Sequence, residues 1–102
     1  MDLLKNETRL HIWQVQRRDS AATKADYDRD GMGHLADTEW SNVLKKPYPW
    51  KTASRHFRLY RQERGKWADV RFIRIDRETG EVRVVAEVIY DADGNCIKGK
   101  FE

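Results

Sequence analysis

The sequence has few of the residues that cross-link, bend or interrupt a chain: its 102 residues include one cysteine, two prolines and six glycines. The single cysteine, Cys96, excludes an intrachain disulfide. Because secreted domains of this size usually carry several disulfides, we expect a reducing compartment. No apolar run follows a basic stretch near residue 1, and none approaches the roughly 18 residues of a membrane span. We therefore expect a cytoplasmic protein with no membrane partner.

Catalytic and cofactor motifs are also missing from the sequence. It has no glycine-rich phosphate loop, no nucleophile elbow and no zinc-type cluster of cysteine and histidine. Hydrophobic residues make up 39% and charged residues 36%, so the core must be thin and depend on aromatic side chains. The length suits one unit, and we expect a single α+β domain over residues 1–102. These features favour a binding module over an enzyme.

Charge is distributed unevenly along the chain. Residues 19–39 hold two bases and six acids, residues 51–77 hold nine bases and three acids, and residues 78–102 hold three bases and six acids. A basic middle between acidic flanks produces a field that orients partners during encounter. The partner expected from this pattern is nucleic acid or an acidic protein surface.

The second half of the chain has the pattern of an antiparallel β-meander. Runs rich in β-branched and aromatic residues are separated by short segments containing glycine, which are typical of hairpin turns. The predicted strands are Arg55–Arg64, Trp67–Asp76, Glu81–Asp91 and Asn95–Phe101. The alternation of Val82, Val84, Ala86, Val88 and Tyr90 predicts that these five side chains share one buried face. In the preceding strand the apolar parity changes between Phe72 and Ile73, which predicts either a β-bulge or two partly covered faces.

The first half predicts one more strand and limited helix. Arg9–Arg17 has strand composition, and Asp19 or Ser20 could cap a short helical turn. After a polar loop, Trp40, Val43 and Leu44 have helical spacing and predict a helix that ends before Pro47. The expected fold is therefore α+β: an antiparallel meander of four to five strands with one short helix packed on one face. The N-terminal strand could pair with the last strand or with the Arg55 strand.

The predicted binding site is the strongly basic first hairpin. On its first strand, alternation groups His56, Arg58, Tyr60, Gln62 and Arg64 on one face. Guanidinium groups beside an aromatic ring are suited to phosphates and bases. The candidate binding residues are Arg55, His56, Arg58, Tyr60, Arg61, Arg64, Lys66 and Trp67. The alternative is a solvated sheet face whose arginines pair with acidic residues of the same chain.

An acidic segment provides candidate metal ligands. Residues 26–37 follow the pattern D-x-D-x-D-G with a carboxylate at the twelfth position. This segment resembles a calcium-binding EF-hand or dockerin loop, in which alternate residues supply oxygen ligands. The resemblance implies calcium coordination by Asp26, Asp28, Asp30 and Asp37, although Gly33 stands where the family has an aliphatic residue. Local side chain–backbone bonds in an Asp/Gly-rich turn are the alternative.

Three functional hypotheses follow. The first is a non-catalytic module that docks on nucleic acid or on a nucleic-acid-binding protein, as a phage- or plasmid-encoded inhibitor of a host nucleoprotein would. The second is a metal-independent ribonuclease or toxin, with His56 as general base and Arg58 or Arg61 against the phosphate. The third is a structural domain stabilised by calcium.

Overall fold

The computed structural model describes residues 10–99, and in this range five antiparallel strands form one sheet that is accompanied by two helices. The strands are β1 (His11–Asp19), β2 (Ser41–Asn42), β3 (Ala68–Asp76), β4 (Val82–Tyr90) and β5 (Cys96–Lys98). The helices are α1 (Ala21–Arg29) and α2 (Trp50–Arg64). The spatial order is β2-β1-β3-β4-β5, so β3, β4 and β5 form a meander. The predicted α+β class is confirmed. Neither helix in the described range is long and apolar enough to cross a membrane.

The N-terminal strand lies inside the sheet. β1 pairs with β3 along its whole length, from His11 opposite Asp76 to Asp19 opposite Ala68, and with β2 on its other side. Both predicted positions for this strand, at the last strand or beside the Arg55 strand, were wrong. Arg9, at the start of the predicted strand, and Phe101, at the end of the last one, lie outside the described residues.

The segment predicted as the strand Arg55–Arg64 is helical, and this is the main correction to the predicted fold. Ala53, Phe57 and Tyr60 follow the helical spacing i, i+4, i+7 and pack on the core. Gly65, with φ of 56°, ends the helix, and its N–H donates to the carbonyl of Arg61. Strand alternation would place Leu59 on the same face as Phe57, but in the helix Leu59 is exposed.

The helix predicted around Trp40 is absent, because its backbone completes the edge of the sheet instead. Ser41–Asn42 form β2, and the N–H of Val43 donates to the carbonyl of Val15. The buried side chain of Gln14 binds both backbone groups of Leu44, each at 3.1 Å. These bonds satisfy backbone groups in an extended segment, so the helical spacing of its apolar residues does not decide its conformation.

Helix α1 begins as predicted and runs further than predicted. The Ser20 hydroxyl accepts the N–H of Thr23, which confirms the predicted cap. The helix extends to Arg29 and includes Asp26 and Asp28, which the sequence placed in a loop. The Ser20 hydroxyl also donates to the carbonyl of Lys66, so the start of α1 is tied to the segment that leads into β3.

The core lies between α2 and one face of the sheet, which we call the helix side. Trp13, Val15, Val70 and Phe72 are buried there, and the ring of Phe57 lies 5.5 Å from that of Phe72. α2 therefore covers the middle of β1 and β3. It is the helix on one face that the sequence predicted, but it is built from a different segment.

A β-bulge divides β4 into two parts. Phe72 faces Ala86 whereas Ile73 faces Val84, so Val85 is an extra residue. Strand alternation on each side of Val85 then places Ala86 and Val88 on the helix side but Val84 on the far side of the sheet. The predicted common face of these alternating residues was therefore wrong. The register changes between Phe72 and Ile73, where the sequence offered a bulge as one alternative, but the extra residue lies in β4 and not in β3. Val84 is 44% exposed and Val88 is fully buried.

Candidate nucleic-acid interface

The outward face of α2 carries a row of cations. Lys51, Arg55 and Arg58 follow the spacing i, i+4, i+7, opposite the face that carries Ala53 and Phe57. All three side chains are exposed. We call them the α2 basic stripe. The helix as a whole contains five bases and one acid, Glu63, so it is strongly positive.

The α2 basic stripe is not neutralised by the described part of the chain. Its three side chains form no ion pair or hydrogen bond with another side chain among residues 10–99. The ion pairs found among the described residues involve other cations. These pairs are Arg17–Asp19, Arg17–Asp37, Arg18–Asp69, Lys24–Asp28, Arg29–Asp26 and Lys98–Glu87.

Two of the predicted binding residues, Tyr60 and Arg61, face inward. Tyr60 packs against the core, and the guanidinium of Arg64 lies 5.2 Å from its ring. Arg61 is partly buried near Tyr90 and Cys96, and burial lowers the pKa of its guanidinium. The strand face proposed from the sequence therefore does not exist, because helical geometry separates its members.

His56 and Arg58 are two positions apart on α2, so they project in different directions. That pair does not assemble the shared acid–base site that a ribonuclease using His56 would need.

Exposed tryptophans stand at the two ends of α2. Trp50 is the first residue of the helix and Trp67 follows its C-terminus, and each is 47% exposed. The Lys66 ammonium lies 4.7 Å from the centroid of the Trp67 ring. A helix of this length separates the two rings by about 20 Å along its axis. Lys66 and Trp67 therefore extend the cationic surface beyond the helix.

The far side of the sheet has a second arginine cluster, which is paired. The guanidinium carbons of Arg18 and Arg71 lie 4.5 and 4.3 Å from the centroid of the Trp40 ring. Arg18 donates to the buried carboxylate of Asp69, and Arg71 donates to Gln16, each at 2.8 Å. Burial lowers the pKa of Arg71, and the nearby charge of Arg18 lowers it further. These cations are engaged in holding the strands together.

A groove of about 440 Å³ lies beside Arg18 at the end of the sheet. Its lining combines the start of α1 with the turn between β4 and β5, and the side chains of Ile89 and Ile97 make it largely apolar. The carboxylates at its edge are already bonded: Asp69 to Arg18 and Asp19 to Arg17. A third carboxylate of the lining, Asp91, accepts the backbone N–H groups of Asp93 and Asn95.

The predicted calcium ligands are dispersed among ion pairs. Asp26 and Asp28 are helical and pair with Arg29 and Lys24, at 3.0 and 3.1 Å. In this conformation they do not present the alternating oxygens of a calcium loop. The Oδ2 atom of Asp37 lies 3.7 Å from a guanidinium nitrogen of Arg17. Within residues 10–99, no three His, Cys, Asp or Glu side chains converge in a way that could hold a metal ion.

Lys51 and Trp50 are candidate site residues that the strand interpretation missed. The signal that could have found them is the spacing of cations at 51, 55 and 58, which repeats with the period of a helix rather than a strand.

Comparison of the chain with family models, curated proteins and solved structures found no match.

Proposed function

We propose that this protein binds nucleic acid, with the α2 basic stripe contacting the phosphate backbone. The observation that carries the proposal is that Lys51, Arg55 and Arg58 are exposed on one helix face and have no anionic partner in the described part of the chain. Three cations whose backbone positions are about 4.5 to 10.5 Å apart along a rigid helix repel one another, and an anionic partner relieves that repulsion.

Nucleic acid fits this surface because its charge is repeated and its bases can stack. Guanidinium groups form paired hydrogen bonds with phosphate oxygens, which favours arginine at such sites. Trp50 and Trp67 add exposed aromatic rings on which unpaired bases can stack. An acidic protein surface would use the same cations without needing the two rings.

The test compares two double variants with the same charge change. Arg55→Ala/Arg58→Ala removes most of the α2 basic stripe, whereas Lys24→Ala/Arg29→Ala removes two exposed cations from α1. Affinity for fluorescent single-stranded DNA and duplex DNA is measured by anisotropy between about 50 and 200 mM salt. We expect the α2 variant to bind at least 10-fold more weakly at low salt. The slope of log K against log salt should fall by about 1.4 for single strands or 1.8 for duplex.

The α1 variant should bind nearly as the parent does. If the parent does not bind at low salt, or if both variants lose the same affinity, the proposal is wrong. Tight binding of polyglutamate together with no DNA binding would instead assign the α2 basic stripe to an acidic protein partner.

A further inference from the structure

The outer edge of β4 is open over residues 82–87, which we call the open edge. β5 pairs only with the last two residues of β4, so within residues 10–99 no strand covers this stretch. Val82, Val84 and Val85 are 54%, 44% and 48% exposed. An exposed edge of β-branched residues is a ready template for pairing with another strand.

The open edge directs backbone groups away from β3 at Val82 and at Val84. The carbonyl of Glu81 accepts the N–H of Asp76 at 2.9 Å, so it points towards β3. Because backbone groups alternate between the two sides of an antiparallel strand, those of Val82 and Val84 point outward. The bulge at Val85 ends this regular stretch. Two residues therefore present both an N–H donor and a carbonyl acceptor to a partner strand.

Two opposite charges stand on either side of Val82. Glu81 and Arg83 are both exposed, and strand alternation places both side chains on the helix side. Neither side chain forms an ion pair or a hydrogen bond within the described part of the chain. An acid and a base two residues apart on one face can pair with the same two residues of an antiparallel copy.

The faces of the strand determine how a second copy pairs. Two identical edges join into one sheet about a two-fold axis perpendicular to the sheet, which keeps every side chain on its own face. An axis through Val84 would place Val82 opposite Ala86, but the bulge puts Ala86 on the other face. An axis through Arg83 would place that arginine opposite its own copy, and like charges opposite each other are unfavourable. An axis through Val82 avoids both conflicts.

We propose that the open edge is a dimer interface, at which β4 pairs antiparallel with β4 of a second copy about an axis through Val82. The two Val82 residues exchange backbone hydrogen bonds, and Glu81 of each copy lies opposite Arg83 of the other. Opposite charges on neighbouring strands stabilise their pairing, so both ion pairs form only in the dimer. The two five-stranded sheets become one sheet of ten strands.

Dimerisation goes beyond the proposed binding function and doubles its surface. A perpendicular axis preserves the two faces of the sheet, so both copies of α2 lie on the same face of the joined sheet. The two α2 basic stripes then contact one nucleic acid together, and such a bivalent surface binds more tightly than either half alone. This consequence rests on the proposed function, whereas the dimer itself does not.

Sedimentation velocity without nucleic acid tests the interface. Because so short an interface is weak, the protein is measured from about 10 µM to about 1 mM, at about 150 mM salt. We expect a reversible equilibrium between monomer and dimer. Glu81→Arg and Arg83→Glu each place like charges opposite one another and should weaken dimerisation by about 10-fold or more.

The matched controls are Glu39→Arg and Lys45→Glu, which make the same two charge changes. Both residues are exposed and lie beside β2, at the other edge of the sheet. These variants should keep the parental dissociation constant.

An equimolar mixture of the two interface variants gives the sharpest test. Glu81→Arg carries two bases at positions 81 and 83, and Arg83→Glu carries two acids there. Every cross-strand pair in a mixed dimer is therefore attractive again. We expect the mixture to form a heterodimer with an affinity near that of the parent, although each variant alone is largely monomeric.

Three results would overturn the proposal. The first is a parent that stays monomeric at every concentration, which would leave Arg83 as a charge that keeps the edge unpaired. The second is a dimer that Glu81→Arg or Arg83→Glu leaves unchanged. The third is a mixture that stays monomeric although circular dichroism shows both variants to be folded. DNA binding by the α2 basic stripe is measured separately, so its outcome is independent of these results.

Discussion

At the scale of single residues, two buried polar side chains join segments that are distant in sequence. Asp69 is 2% exposed, and its carboxylate accepts the Nε–H of Arg18 at 2.8 Å and the backbone N–H of Tyr90 at 2.9 Å. Gln14, also 2% exposed, holds Leu44 through both ends of its amide. Each side chain satisfies donors that have little access to water, so its removal leaves them unpaired.

We expect Asp69→Ala to lower the free energy of unfolding by about 2–3 kcal/mol, because a charge-assisted bond is lost and the N–H of Tyr90 is left without its acceptor. Urea denaturation of both proteins measures the difference. Asp93→Ala is the control, because that side chain is exposed and should change stability by less than about 0.5 kcal/mol. Equal midpoints for the parent and Asp69→Ala would contradict the role assigned to Asp69.

At the scale of elements, the sequence predicted the meander well and the helix that covers it poorly. β4 is dominated by β-branched residues, β3 contains Val70, Ile73 and Ile75 beside Phe72, and both strands are bounded by glycine turns, so their local preference agrees with their environment. In α2 the apolar residues are few and the arginines many, so helical and strand spacings compete over ten residues. Packing on β1 and β3 decides between them, and that information is not local.

The α2 basic stripe and the charged end of the sheet around Arg83 differ in how far the sequence could predict them. Arg55 and Arg58 were identified from charge alone, although their face was wrong until the helix was known. At that end of the sheet, His11 and Arg83, which are far apart in the chain, line one cavity, and a bulge in β4 changes the direction of Arg83. Predicting that arrangement requires the pairing register of three strands, β1, β3 and β4.

We expect deletion of Val85 to leave the protein folded. The residues on either side of it already face consecutive residues of β3, so the shortened strand keeps every β3 partner. Its free energy of unfolding should stay within about 1 kcal/mol of the parental value, the scale of an ordinary single substitution. Thermal melting followed by circular dichroism checks this. Loss of the folded state would mean that the bulge itself, with its added twist, is required for the sheet to form.

At the scale of the whole molecule, positive and negative charges are concentrated in different parts of the structure. Asp19, Asp26, Asp28 and Asp37 of the first acidic segment form ion pairs with Arg17, Lys24 and Arg29, whereas Lys51, Arg55 and Arg58 form none among residues 10–99. The modest net charge of +3 therefore hides a locally strong positive field.

We expect single-stranded DNA to stabilise the folded protein by binding the positive surface of α2. Single-stranded DNA at 100 times its dissociation constant should raise the free energy of unfolding by about 2.7 kcal/mol, because it binds the folded state only. Urea denaturation with and without the DNA measures the gain, and Arg55→Ala/Arg58→Ala should lose most of it. The same gain in the parent and in this variant would place the bound DNA elsewhere.

The central position of β1 has a consequence for the order of folding. β3 and β4 are joined by a short turn, whereas β1 meets β3 only after a loop of about fifty residues has closed, from Asp19 to Ala68. Closing the longer loop costs more chain entropy, so the β3–β4 hairpin should form first and β1 should dock onto it later. During synthesis β1 is made before β3, so its apolar residues stay exposed until β3 has been made.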